Sequence, residues 1–330
     1  MSITITGGIS FSGALSIVAP PTEATAGWFG GGKLDSGGGP YSTVARITYA
    51  TDTATASVRG PLSLARFVLA ASGNNTYGWF GGGKTPSQVS TVDRITYASD
   101  TATASVRGPL SSSKTYAAAT GNTTDGWFAG GIFDNFPEIG YRSSVERITY
   151  ATDTATASNR GPLSSTRYLE AATSDITTYG WFGGGRQSPY NNVSIVDRIT
   201  YANDTATASV RGPLTSNNYY LAAAGNQNYG WFGGGQRYPG PEPYKQSTVA
   251  RITYATDTAT ASVRGPLSLA RRSLAAAGNT TDGWFGGGIV DAGSVSTVDR
   301  ITYATDTATA SVRGPLSRLL DNMAATSGIQ

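Results

Sequence analysis

Residues Gly78-Trp-Phe-Gly-Gly-Gly83-Lys84-Thr85 satisfy the G-x-x-x-x-G-K-[ST] pattern of a phosphate-cradling loop letter for letter. Such a loop works by opening a helix whose N-terminal N–H groups face the phosphate. Here the residues that follow, 91–97, alternate as a strand does, and the related Gly-Trp-Phe runs elsewhere in the chain lack the Lys-Thr pair. No nucleotide site is therefore expected. Charged residues offer a second candidate. Arginines of the Arg94 and Arg107 types recur six times each, and an acid precedes the first type at Asp93, Glu146, Asp197 and Asp299, with Ala45 and Ala250 in the other two places. The plain expectation is ion pairing within or between repeated units; the alternative is a ring of positive charge that takes an anion. The Asp of the recurring Tyr-Ala-x-Asp-Thr word is expected to bond the backbone of its own turn. One carboxylate per turn makes a poor calcium site, and no second acid recurs beside it to serve as a glycosidase pair. The chain has 0 His and Cys 0, which removes imidazole, thiolate and disulfide chemistry. The expectation is no catalytic residue, no metal and no cofactor.

The elements that would carry these residues repeat. A word framed by Arg-Ile-Thr-Tyr-Ala and Arg-Gly-Pro-Leu begins at Arg46, Arg94, Arg147, Arg198, Arg251 and Arg300. A Gly-Trp-Phe word with a Gly-rich run follows Trp28, Trp79, Trp127, Trp181, Trp231 and Trp284, and the two alternate with spacings of 48 to 54 residues. Strand-like content at that period predicts an all-β, six-bladed β-propeller with four-stranded blades. In the second unit the predicted strands are residues 69–72, 77–81, 91–97 and 101–106, with Gly108-Pro109 ending the last because proline cannot donate to a ladder. Small residues suit the crowded axis. Trp79 and Phe80 should point to opposite faces and pack on the two neighbouring blades.

The words Trp79-Phe-Gly-Gly82, Val92-Asp-Arg-Ile95 and Gly108-Pro109 resemble kelch-type propeller repeats over roughly residues 24 to 327, although Ala and Ser stand where that family has an outer-strand Trp. Kelch-type oxidases hold copper with Cys, His and Tyr, and two of those three types are absent. The Asp-Thr-Ala-Thr-Ala-Ser-Val-Arg-Gly-Pro-Leu-Ser word is similar to repeats in predicted structural proteins of tailed phages that infect cyanobacteria. That resemblance implies a virion protein made in the host cytoplasm: a tail, fibre or capsid-decorating component. A stand-alone lectin or a kelch-like adaptor is the alternative.

Ring closure is legible at the termini. Asn322-Met-Ala-Ala-Thr326 matches Val68-Leu-Ala-Ala-Ser72 but no Gly-Trp-Phe follows it, while Trp28 lacks a small-residue strand before it. The C-terminal strand is expected to complete the Trp28 blade within a propeller of residues 21–330. Residues 1–20 alternate, have no counterpart in the other units, and are expected to form a strand-adding arm that docks on other virion proteins. The segment has no basic n-region or continuous apolar core, so no signal peptide is expected. No run of 18 apolar residues occurs, so no membrane span is expected. A net charge of +3, with 14% charged residues, gives no basis for nucleic-acid binding.

Variation concentrates in two sets of segments: the loops 33–42, 84–90, 132–143, 186–194, 236–247 and 289–296, and the linkers 64–68, 112–116, 165–168 and 216–220. In an up-and-down blade both sets emerge at one end. They carry Tyr41, Phe133, Phe136, Tyr141, Tyr190, Tyr238 and Tyr244 among Asn, Pro, Ser and Gly. Aromatic residues in polar loops on a rigid frame are the composition of a recognition surface. These seven are the candidate binding residues for a partner protein or a host-surface glycan.

Overall fold

The computed structural model describes residues 23–135, 138–237 and 244–328; the expected arm, 1–20, lies outside them. Six four-stranded antiparallel sheets form a ring whose inner strands contact one another in closed order. The second blade runs Ala70–Gly73, Tyr77–Gly81, Val92–Thr96 and Ser105–Arg107, from the axis outward. The inner strands of the third to sixth blades are Ala118–Gly121, Ala171–Ser174, Ala222–Gly225 and Ala275–Gly278. The first blade takes its inner strand from the C-terminus: Ala324–Ser327 pairs antiparallel with Ala26–Gly30 in the register Gly27↔Ser327, Gly30↔Ala324. The closure expected from sequence is the one observed.

The two aromatics of each Gly-Trp-Phe word divide between neighbours as the strand period requires. Trp79 packs with Phe128, Ile148 and Tyr150 of the third blade, whereas Phe80 packs with Trp28 and Leu62 of the first. Trp79 and Phe80 are fully buried, and each such side chain contributes about 1.5–3 kcal/mol by leaving water.

The outer strand differs from expectation. It covers only Ser105–Arg107, because residues 97–99 form a 3-10 turn and the following backbone bonds to the preceding blade instead. The Gly60 N–H donates to the Asp100 carbonyl (2.7 Å) and the Ala104 N–H to the Pro61 carbonyl (2.8 Å). The same latch recurs round the ring, ending with the Gly314 N–H on the Asp52 carbonyl (2.8 Å). Glycine is required there by close approach: a Cβ at Gly60 would stand 1.9 Å from the Ala102 carbonyl oxygen.

Candidate recognition surface

The constant charged residues are consumed by the scaffold. Asp153 Oδ2 accepts a hydrogen bond from Trp79 Nε1 of the preceding blade (2.9 Å) and one from Arg94 Nη1 (3.0 Å), with Arg107 Nε at 3.6 Å. Tyr150 stacks flat on Trp79 at 3.8 Å beside this carboxylate. The arrangement repeats at every junction, including the seam, where Trp284 donates to Asp52 (2.9 Å). The recurring Asp is thus an inter-blade acceptor rather than the turn-former expected from sequence. Its partners lie in the neighbouring unit, out of reach of local pattern reading. The arginines pair as expected, and the alternative of a free cationic ring fails because each is tied to an Asp.

The second set of acids is neutralised deeper inside. Asp93, Glu146, Asp197 and Asp299 pair with Arg66, Lys114, Arg167 and Arg271 at 3.2, 2.6, 2.9 and 3.1 Å, all within buried surroundings. These bases belong to the linkers that precede the inner strands. Arg66 also donates to the Phe80 carbonyl (2.9 Å), which fixes the linker over the neighbouring strand.

Loops and linkers meet at one end of the ring, joined by isolated bridges such as Phe67↔Lys84, Tyr168↔Arg186 and Lys33↔Asp321. Gly82 and Gly83 turn the chain there at φ 69° and 102°, and the next regular element after Lys84 is the strand Val92–Thr96. The phosphate-loop pattern therefore has no helix behind it. The opposite end carries the constant turns, closed by side-chain caps: Asn122 Oδ1 accepts the N–H groups of Thr124 (2.9 Å) and Asp125 (2.8 Å).

At the centre of the variable face the linkers close a ring of their own. Val68, Tyr116, Leu169, Tyr220, Ser273 and Asn322 all have positive φ, between 54° and 63°. Each donates its N–H to the carbonyl of the preceding member, from Tyr116 on Val68 (3.0 Å) round to Val68 on Asn322 (2.8 Å). The left-handed conformation costs an ordinary residue roughly 1–2 kcal/mol, and a β-branched residue such as Val68 is a true outlier there. Below the ring, Glu170 occupies a position where the other units have Leu69, Ala117, Leu221, Leu274 and Met323. It is buried and neither carboxylate oxygen has a hydrogen-bond partner. Burial pushes its pKa up to about 8, against the pull of Arg167 and Lys114.

Around this ring stands a tyrosine cluster. Tyr116 meets Tyr220 edge-on at 6.0 Å and Tyr168 at 6.3 Å; Tyr141 lies 5.2 Å from Tyr168, and Tyr219 lies 5.2 Å from Tyr220. Burial pushes the Tyr168 hydroxyl up to about 12, so it remains protonated across the physiological range. Of the seven candidate residues, Tyr141 joins the cluster. Tyr190, 60% exposed, borders it through Arg186, which lies over both Tyr190 and Tyr219 at 4.8 Å. Phe133 is half-buried under Arg142 (4.8 Å) in the short hairpin that includes Ile132–Asn135. Tyr41 is half-buried under Arg318 (5.1 Å) in the first blade, apart from the cluster. Tyr244 is half-buried, and its carbonyl accepts the Arg237 N–H (2.8 Å). Phe136 and Tyr238 lie outside the described residues. Sequence reading omitted Tyr116, Tyr168, Tyr219 and Tyr220 from the site; their signal was a variable position directly before each small-residue inner strand. Among the described residues no cluster of His, Cys, Asp or Glu could hold a metal, and no helix is long and apolar enough to cross a membrane.

No family model matches the chain, and no curated protein matches it in sequence. Among solved structures the chain is similar to "Structure of YjhT", with a TM-score of 0.66 and 9% identity over 80% of this chain and 88% of that one. At that identity the likeness establishes the propeller fold and nothing finer.

Proposed function

We propose that this chain is a non-enzymatic recognition and assembly propeller that meets its partner on the variable face. One observation carries the reading. The six linkers place five kinds of side chain in a ring of positive-φ residues at the axis, where glycine would be the conformationally cheapest choice. Folding alone does not favour Val, Tyr, Leu or Ser at such positions, so the choice of side chains answers to something other than the scaffold. The constant acids and arginines are engaged in holding blades together, which leaves the linkers and loops as the chemically distinctive surface. A virion role in a tailed phage rests on the similarity of the repeat words, and an attachment role for residues 1–20 rests on their alternation and their lack of a counterpart in the other units.

The test uses labelled protein on glycan and protein arrays, comparing wild type with Tyr141→Ala, Tyr190→Ala and Tyr220→Ala, and with Thr123→Ala on the constant face. Loss of signal in the tyrosine variants with unchanged melting supports the reading. Loss confined to Thr123→Ala assigns binding to the other face. Asp153 is unsuited as a constant-face control because it is an inter-blade acceptor.

A further inference from the structure

The cations of this chain separate by what neutralises them. Those of the constant words are tied to carboxylates at every junction, as Arg94 and Arg107 are to Asp153. Four cations of the variable segments, Lys33, Arg142, Arg272 and Arg318, have no ion pair among the described residues. Each lies over an aromatic ring instead: Phe67 (5.1 Å), Phe133 (4.8 Å), Tyr220 (5.1 Å) and Tyr41 (5.1 Å). An arginine resting on an aromatic face loses side-chain freedom without losing its charge, and its coplanar N–H groups stay competent for a two-point grip on a carboxylate. Two carboxylates of the same face are already engaged: Asp321 is buried against Ser294 (2.7 Å), and Asp291 pairs with Lys245 (2.5 Å).

The positions of these pairs decide the size of the partner. Lys33 and Arg318 stand at the first blade, Arg142 at the third, and Arg272 between the fifth and sixth, rather than along one groove. A single sugar ring could reach one of them. A protein surface of ordinary interface size, about 800 Å² per side, could cover several. Tyr and Arg are also the residue types that most often carry binding energy between proteins.

We propose that the variable face docks a protein that presents carboxylates, gripped by Arg142, Arg272 and Arg318 over their aromatic supports. This rests on the reading of that face as the recognition surface.

The experiment measures binding to immobilised poly-L-glutamate, with polygalacturonate as the polysaccharide that carries the same group. Wild type is expected to bind poly-L-glutamate more tightly than polygalacturonate, and to weaken as salt is raised. The triple variant Arg142→Gln, Arg272→Gln, Arg318→Gln is expected to lose at least tenfold in affinity with its melting temperature unchanged. The matching triple Lys variant should recover only part of the loss, because it restores charge without the planar fork. No binding to poly-L-glutamate, full binding by the Gln triple, or a preference for polygalacturonate would each overturn the proposal. The array ligands separate the two readings. If the tyrosine variants lose an array ligand that the arginine triple still binds, the carboxylate assignment fails and the face assignment stands. If neither set loses it, both fail.

Discussion

At the scale of single residues, the repeats perform a double-mutant experiment on themselves. Where the inner acid is present, its linker base is present: Arg66 with Asp93, Lys114 with Glu146, Arg167 with Asp197, Arg271 with Asp299. Where the acid is Ala250 or Ala45, the equivalent linker residue is Asn218 or Leu320, and both are buried. A buried ion pair can be exchanged for neutral residues at little cost, but one partner cannot be removed alone. Lys114→Leu is therefore expected to destabilise by about 3 kcal/mol, and the double variant Lys114→Leu, Glu146→Ala by clearly less. Chemical denaturation of the three proteins checks this. Glu170 supplies a pH test. Its pKa in the fold, about 8, lies above its ordinary value of 4.5, so folding favours the protonated carboxyl. That stabilisation is fully present below the unfolded pKa and is lost as pH rises through the folded one. Glu170→Gln should match wild type near the acid end of this window and exceed it at the alkaline end, by roughly 4–5 kcal/mol. Melting curves across the window would refute this if the gap between the two proteins stayed constant.

At the scale of elements, near-identity among units made much of the blade legible. Tyr77–Gly81 falls where its word placed it, because five residues with a Gly boundary and two large aromatics leave one workable alternation. The outer strand was over-extended, since Ala and Thr in alternation read as a strand while their backbone partners are the Gly-Pro of the blade before. The axial ring was hidden for a different reason. A positive φ announces itself in sequence when glycine or asparagine occupies it, and here five of the six are Val, Tyr, Leu, Tyr and Ser. Two substitutions test these elements. Ser273→Gly removes a left-handed non-glycine residue and a buried hydroxyl without a partner, and should stabilise by about 1 kcal/mol. Gly60→Ala drives a methyl group into the Ala102 carbonyl and should cost at least about 2 kcal/mol. Equal stability of Gly60→Ala and wild type would contradict the latch.

At the scale of the whole molecule, the ring is closed by the same interactions everywhere. Trp284 binds Asp52 as Trp79 binds Asp153, and Asn322 N–H reaches Ser273 (2.9 Å) as Tyr116 N–H reaches Val68. Deleting residues 320–330 removes the inner strand of the first blade together with Asn322, one link of the axial ring. The truncated protein should melt well below the parent by calorimetry; an unchanged melting temperature would mean that the ring holds without its seam. The candidate site was only partly legible at this scale. Which end of the ring carries variety follows from strand direction, whereas the convergence of Tyr116, Tyr168 and Tyr220 depends on the ring closing about an axis that no local segment describes.

The seam itself has a further consequence. In the second blade the inner strand turns into its neighbour through Asn74 and Thr76, tied by the Asn74 side chain (2.9 Å to the Thr76 N–H). In the first blade the corresponding strands come from distant parts of the chain: Gly328, just past Ala324–Ser327, lies beside Ala24, which leads into Ala26–Gly30, and a Cβ on Gly328 would lie 3.3 Å from the Ala24 Cβ. The junction contacts therefore do not distinguish this seam from the other five positions in the ring. A circular permutant of residues 24–328, with a short Asn-Thr-Thr join across the seam and the chain opened at Asn122, is expected to keep the strand pairing of all six blades. Its order of translation would differ while the face formed by its described loops and linkers would be kept.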